Sequence, residues 1–133
     1  MTEMTTTVGE IMSRRLLTVD AATELAEAAS QMHERNVGAA LVLTNDRLSG
    51  ILTERDILRA VATGPIAGTN VAAWMTRDPE TVESSEPTGR AAAIMIHGGF
   101  RHLPVVDGGT PVGIVSIRDL MKVVVDDESP RGV

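Results

Sequence analysis

The chain has 133 residues, 43% of them hydrophobic, and a formal net charge of −6; one compact globular unit is expected, and with one Phe, one Trp and no Tyr it lacks both the basic surface and the aromatic platforms that hold nucleic acid. The absence of cysteine excludes disulfides, a thiolate nucleophile and Cys-based zinc sites. The start, Met1 to Val8, is polar and Thr-rich, unlike a signal peptide, and no apolar run approaches the roughly 18 residues of a membrane span, so a soluble cytoplasmic protein with no membrane contact is expected.

Sliding the chain against itself by 63 positions, the separation of Met12 and Met75, aligns residues 8–61 with 71–124 without a gap. Met12 meets Met75, Arg14 meets Arg77, Thr18-Val19 meets Thr81-Val82, Ala28-Ala29 meets Ala91-Ala92, Met32 meets Met95, Gly50-Ile51 meets Gly113-Ile114, and Arg55-Asp56 meets Arg118-Asp119. Two copies are therefore expected at 8–63 and 71–125, joined by a linker at 64–70 that holds Pro65 and Gly68, with flexible tails at 1–7 and 126–133. Each copy is too short to bury a good core alone, so the two should pack together around a pseudo-twofold axis.

The first copy opens with a short apolar strand, Leu16 to Val19, and Thr23 is placed to cap a helix whose apolar stripe is Leu25, Ala28, Ala29 and Met32. That helix should end between Asn36 and Gly38, residue types that suit a left-handed terminus. An apolar run, Ala39 to Leu43, a polar turn, Thr44 to Arg47, and a second run, Leu48 to Thr53, read as a hairpin; a helix carrying Ile57, Leu58 and Val61 follows. The second copy repeats this order. Its strand is Thr81-Val82, its first helix runs from about Pro87 in the first turn to His97, Gly98-Gly99 breaks it, His102 to Val106 and Pro111 to Ser116 flank the turn Asp107 to Thr110, and Ile117 to Val125 is helical. The predicted class is mixed α/β (α+β), with β-α-β-β-α twice.

Two segments carry candidate chemistry, Gly50-Ile51-Leu52-Thr53-Glu54-Arg55-Asp56 and Gly113-Ile114-Val115-Ser116-Ile117-Arg118-Asp119. In each, a strand ends at a hydroxyl residue, Thr53 or Ser116, which can cap the next helix, while free amides at the helix start favour an anion such as phosphate. Three residues on, a carboxylate points back toward the same mouth, where it could accept both hydroxyls of a ribose. Arg55 and Arg118 could pair with phosphate oxygens. The same spacing is also a capping box that needs no ligand, but its recurrence at matching positions argues for more than capping.

These motifs, the repeat order and the segment Arg101-His102-Leu103-Pro104-Val105-Val106-Asp107 resemble the CBS (cystathionine β-synthase) domain family over nearly the whole chain. The resemblance implies a Bateman module, two CBS repeats whose clefts hold AMP, ADP, ATP or S-adenosylmethionine as a regulatory ligand, with no covalent cofactor. It implies Asp56 and Asp119 on ribose and Thr53 and Ser116 on phosphate or ribose. Backbone near Ala39 to Leu41 and His102 to Pro104 would edge the adenine, with Thr18-Val19 and Thr81-Val82 opposite. Copy one has Gly38-Ala39-Ala40-Leu41 where copy two has Arg101-His102-Leu103-Pro104, so the second motif's site is expected to be the tighter one.

Catalysis and metal binding find no support: His33, His97 and His102 have no metal-ligand spacing, and there is no nucleophile elbow or phosphate loop. The methionines read as core and interface filler. An amino-acid-binding ACT domain would share the broad β-α-β pattern but would not need the Gly-Ile-x-Thr/Ser-x-x-Asp segments. The standing alternative is a ligand-free structural or interaction module that docks on and regulates an unidentified protein. Apolar positions on the last helix of each copy, Ile57, Leu58 and Val61 and then Leu120, Met121, Val123, Val124 and Val125, lead to the expectation of a homodimer.

Overall fold

In a computed structural model, residues 6–128 are described, with the backbone alone for residues 124–128. The elements are α1 (Val8–Ile11), β1 (Thr18–Asp20), α2 (Leu25–Arg35), β2 (Ala39–Thr44), β3 (Arg47–Thr53), α3 (Glu54–Thr63), a 3₁₀ turn at Val71–Ala73, β4 (Thr76–Arg77), α4 (Thr88–Gly98), β5 (His102–Asp107), β6 (Thr110–Ser116) and α5 (Ile117–Glu128). The class is mixed α and β, and the two repeats are visible in the element order.

Packing does not follow the repeat boundaries. Arg15–Pro79 forms one compact unit, while the described residues up to Arg14 pack with those from Glu80 onward in the other. Each repeat thus begins with a segment that belongs to its sibling's core. In the first unit the sheet order is β1-β2-β3-β4, with β1 parallel to β2 and the rest antiparallel. The edge strand β4 pairs Thr76 with Ile51, and the 3₁₀ turn buries Val71 among Leu17, Leu25, Met32, Val42 and Leu52. In the second unit β5 and β6 form the ladder, flanked by single bridges from Val82 to Val105 and from Ser13 to Ile114. Ser13 lies 63 residues before Thr76, and Ile51 63 before Ile114, so the two exchanges are the same arrangement. α1 contributes Val8, and the following loop Met12, to a core with Val82, Ala91, Met95, Leu103, Val105, Val115 and Leu120.

Local physics explains the joints. Asn45 and Asp46 (φ 51° and 64°) and Gly108 and Gly109 (φ 57° and 83°) occupy the left-handed positions of two-residue hairpin turns whose twist matches the strands they join. α2 ends at Asn36 and α4 at Gly99, both left-handed. Gly50 and Gly113 face close neighbours: a Cβ at Gly50 would lie 2.7 Å from Met75 Sδ and 2.8 Å from the Thr76 carbonyl, and one at Gly113 would collide with Met12 Sδ and lie 3.0 Å from the Ser13 carbonyl. The glycines of the repeated Gly-Ile pair therefore make room for the exchanged segments, Met75-Thr76 and Met12-Ser13.

Several expected boundaries shift. The strand expected at Leu16 to Val19 is Thr18–Asp20, because pairing with β2 starts only where Thr18 meets Leu41. Thr23 is not the cap of α2; Glu24 holds that position without a side-chain bond, and the Leu25 amide donates to the Thr69 carbonyl instead. Pro87 is the cap of α4 and not its first residue. Thr81-Val82 makes a single parallel bridge, since the Val82 amide and carbonyl are used on Pro104 and Val106 and pairing goes no further. Thr6 and Thr7 are tied down, through the Thr88 amide on the Thr6 carbonyl and a capping box between Thr7 and Glu10. The segment expected as a linker is pinned at Ile66, which packs on the first core, and at Thr69. α5 continues to Glu128; residues 1–5 and 129–133 of the expected tails lie outside the described residues. Of the methionines read as filler, Met12, Met32 and Met95 are buried, whereas Met121 is exposed.

Candidate functional site

Each unit brings its candidate residues to one end of its sheet. In the first, Ala39 opens β2 directly across from Thr53 at the close of β3, and Thr18 at the start of the parallel β1 sits opposite Leu41. In the second, His102 opens β5 across from Ser116 at the close of β6, and Val82 bridges to Val105. Arg101, Arg118 and Thr81 are exposed, as are Arg55 and Thr18. Val19, Ala39, Val82, Leu103 and Pro104 are buried, so they can offer a ligand backbone edges but not side chains.

The strand-to-helix junctions are built alike. Thr53 is the N-cap of α3: its amide donates to Asp56 Oδ2 at 2.8 Å, its hydroxyl donates to the same oxygen at 3.1 Å, and the Asp56 amide donates to Thr53 Oγ1 at 3.4 Å. At the start of α5, the Ser116 amide donates to Asp119 Oδ2 at 2.8 Å and the Asp119 amide donates to Ser116 Oγ at 3.1 Å. Both are capping boxes, in which hydroxyl and carboxylate satisfy amides that the helix leaves unpaired.

The expectation of free amides at the helix start needs correction. The Glu54 amide donates to the Gly38 carbonyl at 3.0 Å and the Ile117 amide to the Arg101 carbonyl at 2.9 Å. With Asp56 and Asp119 also satisfied by their caps, two of the first three helical amides in each junction are spent internally. Positive charge for an anion must then come chiefly from side chains. Among the described residues Arg55 and Arg118 are exposed and have no hydrogen-bonding or ion-pair partner.

The junctions differ in one residue that sequence reading passed over. Arg59 donates to Asp56 Oδ1 at 3.5 Å, so both oxygens of that carboxylate are engaged, and Asp56 is only 5% exposed. Its counterpart, 63 positions on, is Lys122, and Asp119 is half-buried, its Oδ1 receiving no donor among the described residues. The three-residue spacing of Asp56 and Arg59 on one helix face was the available signal. A second omission is Ser84, whose amide and hydroxyl donate to Asp107 at 2.8 Å and 2.5 Å across 23 residues; these bonds, with Arg14 nearby, hold the Asp107 carboxyl below its ordinary pKa of 3.8.

The model of the CBS domain family matches residues 8–63 and 71–126. The CBS domain-containing protein YhcV of Bacillus subtilis is 35% identical over 123 residues, spanning 92% of this chain and 88% of that one. The chain spans 43% and 21% of two other curated relatives it matches. Among solved structures, the CBS domain pair of protein MJ0100, in complex with 5′-methylthioadenosine and S-adenosyl-L-methionine, superposes with a TM-score of 0.87 at 27% identity, covering 94% of this chain and all (100%) of that one. A hexameric CBS-CP12 protein from bloom-forming cyanobacteria superposes with a TM-score of 0.86 at 26% identity, covering 98% of this chain and 75% of that one.

Proposed function

Because the chain belongs to the CBS domain family as a tandem pair, we propose that it is a cytoplasmic regulatory module, not an enzyme, that senses an adenosine-containing small molecule: AMP, ADP, ATP or S-adenosylmethionine. The observation that carries this reading is the repeated junction. In both units a hydroxyl and a carboxylate are held in fixed register at the end of a strand, with an unpartnered, exposed arginine beside them. A carboxylate accepts from ribose hydroxyls, arginine pairs with phosphate, and the backbone edges at Ala39 and at His102 to Pro104 can meet a flat base. The adenosyl ligands of the MJ0100 pair support the ligand class.

Self-association belongs to the same reading. Leu58 is 69% exposed on α3, and Met121, its counterpart on α5, is 59% exposed, with Val61 also open. Large apolar side chains at matching helix positions favour cover by a second copy, and the hexameric state of the CBS-CP12 protein supports this reading. The side chains of Val124 and Val125, invoked for the same face, lie outside the described residues. Light scattering at tens of micromolar tests this part, and a monomer would refute it.

Thermal-shift titration with the four ligands tests the sensor reading. A ligand at 100 times its dissociation constant should stabilise the protein by about 2.7 kcal/mol. Saturable shifts with an adenosyl ligand and none with guanosine or cytidine nucleotides are expected. No shift with any of the four would leave the ligand-free docking module as the better account.

A further inference from the structure

We infer that the two motif carboxylates have different jobs: Asp56 is an internal cap closed off by Arg59, and Asp119 is the ribose acceptor, so that the chain takes one adenosyl ligand per copy. This rests on the adenosyl-binding reading above and assigns the ligand to one of its two junctions.

The argument is one of free acceptor capacity. A carboxylate offers about four lone-pair positions on its two oxygens, and a ribose diol needs at least one oxygen reachable and unclaimed. Asp56 Oδ2 receives two donors from Thr53, and Oδ1 faces the Arg59 guanidinium. The side chain of Asp56 is 7% exposed, that of Arg59 66%. Arg59 is thus a movable cover over a buried acceptor. To reach Oδ1 a ribose would have to displace it and meet a side chain that is only 7% exposed.

Among the described residues Asp119 receives one donor, the Ser116 amide on Oδ2, and none on its other oxygen. Position 122 holds a lysine, and among the described residues it makes no ion pair with Asp119 such as Arg59 makes with Asp56. Arg101 and Arg118 are exposed at this junction, whereas the position matching Arg101 is Gly38. Burial, acceptor saturation and local charge all favour the same junction.

Isothermal titration of the full chain with AMP, ADP, ATP, S-adenosylmethionine and 5′-methylthioadenosine tests this. One equivalent per chain is expected for the binding ligand. Asp119→Ala should weaken binding about ten-fold or more, the loss of a hydrogen bond to a charged acceptor. Asp56→Asn keeps an acceptor for the Thr53 amide and should leave affinity and stoichiometry unchanged, whereas Asp56→Ala should lower the melting temperature of the free protein more than Asp119→Ala does. Two equivalents per chain, equal losses in the two variants, or a loss with Asp56→Asn alone would overturn the division of labour and leave the sensor reading standing. Absence of heat with all five ligands would overturn both.

Discussion

Replacing Gly50 by alanine tests whether the exchanged segments set the architecture. The new methyl would sit 2.7 Å from Met75 Sδ and 2.8 Å from the Thr76 carbonyl oxygen. The thioether can swing aside, being the far end of a flexible side chain. The carbonyl cannot, because Thr76 pairs with Ile51 in the ladder that holds β4 to β3. Relief therefore requires the edge strand to shift or detach, an overpacking of the kind that costs about 1–3 kcal/mol. Taking 2 kcal/mol as the centre of that range, the melting temperature should fall by about 6–10 °C for a chain of this size. At Gly113 the nearest backbone atom is 3.0 Å away and the worst clash is with Met12 Sδ, so Gly113→Ala should cost less. Adding Met75→Ala should not rescue Gly50→Ala, since the carbonyl remains. Calorimetric melts of the three variants decide the matter: a Gly50→Ala protein melting within 2 °C of the parent (roughly half a kcal/mol at this size) would refute the claim that β4 is held against that glycine.

A fragment of residues 15–79 should show ordered helix and strand by circular dichroism, whereas residues 8–63 should not, because the latter lack Val71, Met75 and β4 and retain a Val8 with nothing to pack on. Asn36 stands at φ 54°, so Asn36→Ala should destabilise by about 1–2 kcal/mol in urea unfolding and Asn36→Gly should not. The depressed pKa of Asp107 means that its ionised form is favoured by folding. Its stabilising effect is therefore full above the unfolded value and is lost as pH falls through the lower folded one. The parent should be more stable than Asp107→Asn at neutral pH, with the gap closing below pH 3.8; a gap independent of pH would show that the Ser84 bonds do not depend on the charge.

What could be determined from the sequence was local or repeated. The 63-residue offset disclosed two copies, and the hairpin turns at Asn45-Asp46 and Gly108-Gly109 and the helix stops at Asn36 and Gly99 follow from backbone preferences of single residues. The Thr53–Asp56 and Ser116–Asp119 pairs were legible because a capping box spans only four positions. Their unequal surroundings were half legible: Arg59 against Lys122 stands in the sequence, but that Asp56 is buried under the arginine while Asp119 keeps an open oxygen is a matter of packing. The exchange of segments was not legible at all. Nothing in the local periodicity of Thr76-Arg77 or Ser13 marks either as an edge of the preceding or following repeat's sheet, since a two-residue pairing has no pattern of its own. The reason for glycine at 50 and 113 likewise lies in the segments Met75-Thr76 and Met12-Ser13, brought within reach only by the fold. Contacts between residues far apart in the chain are chosen by which apolar surfaces can be covered together, and that choice is made by the tertiary structure.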